Sequence, residues 1–180
     1  KAKLGLDELL FFDKKIFENP YLKNLKGQNI LANGKISGSS KKVNLEKVNV
    51  LAPQNTNLSL SGSVANFSEP IFDLNIQNFS SSSKDILSIV PKDQLPENIN
   101  LPNTIALNGT VKGKVEDLNL NLKLRSDFGN AGVVANLKGF TGNKKPAYTG
   151  QVSIDNFDFG KTLGDTSLGK TTGHLDFNGS

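Results

Sequence analysis

The sequence predicts an all-β protein: an elongated, curled antiparallel sheet forming an open hydrophobic groove, with one short helix near residues 82–90. Apolar and polar residues alternate with a period of two over much of the chain. Short segments rich in Gly, Pro, Asn and Asp separate the alternating runs, as is typical of turns between antiparallel strands. Helical patterns are too few to cover such a sheet.

The longest alternating run covers residues 105–115, where apolar residues and glycines mostly alternate with Asn, Thr and Lys. A second run, 118–124, alternates Leu with Asn and Lys. Successive side chains of a strand point to opposite faces, so each run predicts one apolar and one polar face. The residues predicted to line the apolar face are Leu58, Leu60, Val64, Phe72, Leu74, Ile76, Ile105, Leu107, Val111, Val115, Leu118, Leu120, Leu122, Leu124, Val133, Leu137, Val152, Ile154, Leu175 and Phe177.

Turns are predicted at 52–55, 116–117, 127–130 and 142–146 because Gly, Pro, Asn and Asp favour turn conformations. The short helix is predicted from Ser82 and Asp85, which stand at the spacing of a capping box, and from Pro91, which ends the run. Residues 91–102 are predicted to be an extended connector. Residues 4–17 are compatible with a helical turn or an apolar loop.

An apolar sheet face must be covered, and one short helix cannot cover it. Two arrangements remain: a closed sandwich or barrel, or a sheet that curls into an open trough. Glycines within the apolar series, such as Gly34, Gly62, Gly109 and Gly113, permit the coiling that both arrangements need. Alternation alone leaves both possibilities open.

The composition excludes several classes of function. Only 36% of residues are hydrophobic, and no apolar run approaches the roughly 20 residues of a transmembrane helix. No transmembrane helix is therefore expected in this segment. Without cysteine there is no thiol catalysis, thiolate metal site or disulfide. The net charge of +4 comes mainly from Lys interspersed with Asn, Ser and Asp, and Arg125 is the only arginine. Because base recognition depends strongly on Arg, no nucleic-acid partner is expected.

Residues 164–171, from Gly164 to Thr171, match the phosphate-binding loop pattern G-x-x-x-x-G-K-T. That motif requires a buried strand before it and a helix after it, so that the helix N-terminus faces the phosphate. The residues after Lys170 instead alternate as a strand, and Gly173 disfavours a helix. We therefore reject a nucleotide site.

No catalytic or metal-binding constellation is found. His174 is the only histidine and is predicted to be a surface residue on the polar face of the last strand. Asp155 and Asp158 flank Phe157 and are predicted to be solvated turn residues rather than an acid and base pair. The sequence predicts no enzyme, no cofactor and no metal.

A series of short motifs follows one another in a distinctive order along nearly the whole chain. The motifs are DELLFF at 7–12, the strand at 34–38, LSLSG at 58–62, FDL at 72–74, SKDIL at 83–87, Pro91, LP at 101–102, IALNG at 105–109, VEDL at 115–118, YTG at 148–150, NFDFG at 156–160 and LGK at 168–170. Each motif alone is weak, but their order resembles the central region of TamB-like proteins of the AsmA superfamily, particularly the Bacteroidetes type.

The resemblance implies a β-taco within a periplasmic protein that is anchored in the bacterial inner membrane and reaches an outer-membrane barrel partner of the TamA type. It also implies phospholipid transfer between the membranes and a role in outer-membrane protein and envelope assembly. The family supplies no catalytic residues. We expect residues 1–180 to be one β-rich segment of a longer protein, with phospholipid acyl chains as ligands. The alternative is a closed β-sandwich acting as a structural or adhesive module without lipid transport.

Overall fold

The computed structural model describes residues 30–52, 55–90, 98–140 and 145–180. Within these ranges nine antiparallel strands form one sheet, and its strand order follows the chain. The strands are β1 (Leu31–Ser39), β2 (Lys42–Leu51), β3 (Asn57–Ala65), β4 (Ile71–Ser82), β5 (Thr104–Lys114), β6 (Asp117–Ser126), β7 (Gly129–Lys138), β8 (Ala147–Asp158) and β9 (Lys170–Gly179). The same ranges contain two short helices, α1 (Ser83–Ile89) and α2 (Phe159–Leu163), which follow β4 and β8.

The predicted fold class is confirmed: the sheet is open. Each strand pairs with its neighbours in sequence, and β1 does not pair with β9. The alternating residues pair in register, so that Leu107 lies opposite Leu124 and Val111 opposite Leu120 on β5 and β6. The closed sandwich or barrel, which alternation left possible, is not the arrangement of the described residues.

Bulges in β2, β4 and β8 interrupt the period of two. In β2 the register shifts between Leu45 and Val48, next to Lys47, whose φ is +47°. The other two shifts lie between residues 76 and 79 of β4 and between 154 and 157 of β8. An extra residue makes two apolar residues three positions apart share a face and increases the local twist.

The turns between β5, β6 and β7 are tight. Val115 and Glu116 connect β5 to β6, so this turn begins one residue earlier than the prediction of 116–117. Asp127 and Phe128 form the predicted turn before β7. The Asp127 carboxylate accepts a hydrogen bond from the Thr104 backbone N–H at 3.0 Å, and this bond lowers the pKa of Asp127. The hydrogen bond therefore joins this turn to the start of β5.

Helix α1 begins as predicted. The Ser82 hydroxyl oxygen accepts a hydrogen bond from the Asp85 backbone N–H at 3.2 Å, which caps the helix N-terminus. Asp85 is buried, and its carboxylate accepts hydrogen bonds from the Asn55 N–H at 2.9 Å and the Thr56 hydroxyl at 3.1 Å. These bonds hold α1 against the connection between β2 and β3.

Some predictions fall outside the described residues. They are the N-terminal stretch 4–17, the stop at Pro91, residues 91–97 of the extended connector, residues 53–54 of the first turn, and residues 142–144 of the turn before β8.

Helix α2 was not predicted. Its N-cap is Asp158, whose carboxylate accepts a hydrogen bond from the Lys161 N–H at 2.9 Å, and its C-cap is Gly164, with a left-handed φ of +66°. A helix of only five residues leaves little periodicity in the sequence. Residues 164–171 therefore follow a helix rather than a strand, and Lys170 begins β9 instead of a helix, so they lack the surroundings of a phosphate-binding loop.

Candidate functional site

One face of the sheet, here called the apolar face, consists of rows of apolar residues and glycines that run across all nine strands. Strand register aligns the residues of each row directly opposite one another. The row through the middle of the face is Ile36, Leu45, Gly62, Leu74, Val111, Leu120, Ala135, Gly150 and Phe177. The apolar surface is therefore continuous from the first strand to the last.

All but one of the residues predicted to line this face lie in strands, at positions that belong to it. Val115 is the exception. It lies in the turn between β5 and β6 with 37% of its surface exposed, because β5 ends at Lys114. The prediction treated the alternation at 105–115 as one uninterrupted strand, and a tight turn ends it.

The prediction missed several members of the apolar face, and bulges explain most of them. Val43 and Leu45 alternate before the β2 bulge, and Val48 and Val50 alternate after it in the opposite sequence parity. Phe79 joins the face by the same shift in β4, where it lies opposite Leu58 and Leu107. In β2 the signal was present as two short alternating runs out of phase, whereas in β4 only Phe79 follows the bulge as an apolar residue. Ile36 and Tyr148 also belong to the face.

The apolar face has few buried members. Among aliphatic and aromatic residues in the described ranges, proline and glycine aside, only Ile30, Val48 and Ala135 are buried, and none of the large side chains is completely enclosed. Helix α1 contacts mainly β4 and helix α2 mainly β9, so neither spans the face. Most of the Leu, Ile and Val side chains are half-buried by their neighbours on the same face. Within the described residues the sheet thus exposes a broad apolar surface, a feature that marks interaction or ligand-binding sites.

Glycines on the apolar face allow the neighbouring strands to approach closely. Gly62 and Gly109 have φ values of +131° and +139°, which residues with a side chain rarely adopt. A Cβ atom on Gly109 would overlap the carbonyl oxygen of Asn121 on β6, and one on Gly62 would overlap that of Asp73 on β4. Such positions permit sharp bending and coiling of a sheet.

The opposite face, here called the polar face, consists mainly of Asn, Lys, Ser, Thr and Asp. Ion pairs join neighbouring strands across it: Lys112 to Asp73 at 3.1 Å and Lys138 to Asp117 at 3.8 Å. These groups are more than half exposed, so each pair adds little stability. The two faces therefore differ sharply in what they can bind.

Of the residues weighed for catalysis, His174 and Asp155 border the same part of the polar face, and Asp158 lies apart from them at α2. His174 is exposed on the polar face, with Nε2 3.7 Å from the Asp176 carboxylate. Asp155 accepts a hydrogen bond from the Asn130 amide at 3.2 Å, whereas Asp158 caps α2. The prediction that both are turn residues is therefore wrong: Asp155 is an exposed residue within β8, and Asp158 ends β8 and caps α2. Within the described ranges no group of three or more His, Cys, Asp or Glu residues could hold a metal ion.

Comparisons with models of protein families, with curated proteins and with solved structures found no match. No helix in the described part of the chain is long and apolar enough to cross a membrane. The apolar face is the most extensive candidate site that the geometry offers.

Proposed function

We propose that the apolar face binds phospholipid acyl chains, and that the chain belongs to a TamB-like periplasmic protein that carries phospholipid between the inner and outer membranes. The observation that carries this proposal is the continuous apolar face without a covering layer among the described residues. On this proposal the site needs neither a cofactor nor catalytic residues, because the ligand is moved without chemical change.

The dimensions of the face suit acyl chains. Nine strands about 4.8 Å apart give an apolar surface on the order of 38 Å long across the sheet. One leaflet of a bilayer has a hydrocarbon thickness of about 15 Å, so an acyl chain with the length that it has in a bilayer fits on this surface. Its rows through β4 to β7 consist mainly of Leu, Ile, Val and Phe with Gly and Ala and have no charge among them, so a chain can occupy successive positions along the surface.

Burial supplies the affinity without directional contacts. Transfer of each methylene from water to an apolar surface contributes about 0.8 kcal/mol. An acyl chain covered on one side gains part of this energy at each position, and no single row is uniquely favourable. The polar headgroup can stay in water at the open margin of the sheet, which avoids the cost of burying a charge. These properties suit a surface along which lipids move.

The experiment is mass spectrometry of lipids extracted from the protein after purification from bacteria. Leu107→Asp and Leu120→Asp place a carboxylate on the apolar face, and each should remove most of the copurified phospholipid while the protein still melts cooperatively. The charge remains accessible to water on an open face, whereas a closed core would bury it and unfold. Asn121→Asp, one residue along β6 on the polar face, is the matched control and should keep the wild-type amount of lipid. Equal lipid in the wild type and both Leu variants would contradict the proposal.

The wider setting is also proposed: anchoring in the inner membrane, an outer-membrane barrel partner of the TamA type, and support of outer-membrane protein and envelope assembly. These rest on the resemblance in sequence. If they are correct, Leu120→Asp should weaken the outer membrane in cells, measured as increased sensitivity to detergent, and Asn121→Asp should not.

A further inference from the structure

The polar face carries a depression of about 350 Å³ over strands β6 to β9. Its centre is Gly132, which has no side chain and stands between Lys123 on β6 and Ser153 on β8. His174 on β9 lies opposite Ser153 and continues the same row. The depression exists because a glycine stands among longer polar side chains.

The basic residues of this depression lack partners. Lys123 and Arg125 are two positions apart on β6, so both point to the polar face, roughly 7 Å apart along the strand. Within the described residues neither makes an ion pair or a side-chain hydrogen bond. By contrast, Lys112 and Lys138 on the same face are paired with carboxylates. Two cations at one depression are therefore available to a ligand.

The remaining lining mixes polar and apolar groups, Val134 among the apolar ones, and contains one acid. Asn121, Gln151 and Ser153 supply amide and hydroxyl groups, and Asp155 lies at the end of the depression on β8, with Asn130 between it and Arg125. The Asn130 amide donates a hydrogen bond to Asp155 at 3.2 Å. Among the lining residues, Lys123 and Arg125 exceed the single carboxylate of Asp155 by one charge. The depression is thus suited to an anion that also carries hydrogen-bonding groups.

We propose that this depression binds a phosphate-bearing polar molecule, with Arg125 and Lys123 holding the phosphate. The guanidinium fork of Arg matches two phosphate oxygens, and the Lys ammonium adds a point charge. The volume is at the lower end of the range for small-molecule sites and equals about ten waters, which leaves room for a glycerol- or sugar-sized group beside the phosphate. The site lies on the face opposite the apolar rows, so it does not depend on acyl-chain binding.

Gly132→Val offers a steric test that preserves the fold. Gly132 is not among the glycines with positive φ, and Val favours strands. A Cβ atom there would meet the Ser153 hydroxyl at 2.7 Å, and that hydroxyl can rotate away. The variant should therefore fold and fill the depression.

The experiment is a titration of the isotope-labelled protein with sn-glycerol 3-phosphate, followed by the amide signals of residues 130–134 and 151–155. We expect saturable shifts in the wild type, and at least tenfold weaker binding in both Arg125→Gln and Gly132→Val. Lys112→Gln, which removes a paired lysine from the same face, should bind like the wild type. If Gly132→Val does not fold, the comparison of phosphate binding by Arg125→Gln with that by Lys112→Gln tests the proposal.

Two further titrations define the ligand. Inorganic phosphate that binds as tightly as glycerol 3-phosphate would identify phosphate alone as the recognised group, and tighter binding of glycerol 3-phosphate would identify a small, water-soluble organic phosphate. Both results support a phosphate site. Absence of saturable shifts, equal binding by wild type and Arg125→Gln, or equal binding of neutral glycerol would overturn the proposal.

Discussion

Substitution of Gly109 by alanine tests whether the close approach of strands on the apolar face depends on glycine. Gly109 lies in the middle of β5, opposite Ile76 on β4 and Leu122 on β6. Its φ of +139° belongs to a region that is essentially restricted to glycine. A Cβ atom would also overlap the Asn121 carbonyl oxygen, which is backbone and cannot rotate away.

The expected loss of stability has two components. Holding a residue with a side chain in this backbone conformation costs of order 1–3 kcal/mol. Relief of the overlap requires a shift of β6 relative to β5 and adds to that cost, so we expect a total of about 3 kcal/mol or more. For a chain of this size 1 kcal/mol corresponds to about 2–4 °C, so Tm should fall by about 6–12 °C.

Gly173→Ala is the matched control, because Gly173 also belongs to the apolar face, where it lies opposite Ile154. It has no positive φ, and a Cβ atom there would meet nothing within 4 Å. Since Gly in a strand interior is less stable than Ala by roughly 0.5–1 kcal/mol, this variant should be as stable as the wild type or slightly more so. Thermal denaturation followed by circular dichroism compares the two. An unchanged Tm in Gly109→Ala would refute the reasoning.

Three further predictions concern other parts of the chain. Lys170→Ala should leave the melting temperature unchanged, and calorimetry should detect no ATP or GTP binding in either protein, because Lys170 begins a strand; nucleotide binding that the substitution abolishes would contradict this. Asp85→Ala should lower the free energy of unfolding, measured in urea, by about 1–2 kcal/mol, because the Asn55 N–H and the Thr56 hydroxyl lose their acceptor. Ser88→Ala, which removes only one hydrogen bond to the Asp85 carbonyl, should lower it by less. Asp127→Ala should lower the free energy of unfolding by about 1 kcal/mol at pH 7. Because the pKa of Asp127 is lowered in the folded protein, the carboxylate stabilises the fold fully above about pH 4, its unfolded value, and this contribution disappears as the pH falls through the lowered pKa. If the variant is still less stable than the wild type in acid, this explanation is wrong.

The sequence predicted strands best where alternation is unbroken. The pairs of β5 with β6 and β6 with β7 have no register shift, and their apolar residues were assigned to the correct face. Strand β2 was missed because the bulge at Lys47 breaks its alternation into two runs too short to stand out. Bulges arise from local backbone geometry and pairing with neighbouring strands, which residue periodicity does not encode.

The two candidate sites also differed in how far the sequence predicted them. Membership of the apolar face follows from sequence spacing, so it was largely predictable. The depression at Gly132 was not, because it depends on which residues of four strands lie side by side. Lys123, Ser153 and His174 are far apart in the chain, and only the register of β6 to β9 brings them into one row with Gly132.

Photo-crosslinking in living cells tests the central claim, that the apolar face carries acyl chains, most directly. A photoreactive amino acid at position 120 would lie on the apolar face, and one at position 121 on the polar face of the same strand. We predict that position 120 captures phospholipid, identified by mass spectrometry of the crosslinked protein, and that position 121 captures little or none. If position 120 captures no lipid, or both positions capture the same amount, the claim is wrong.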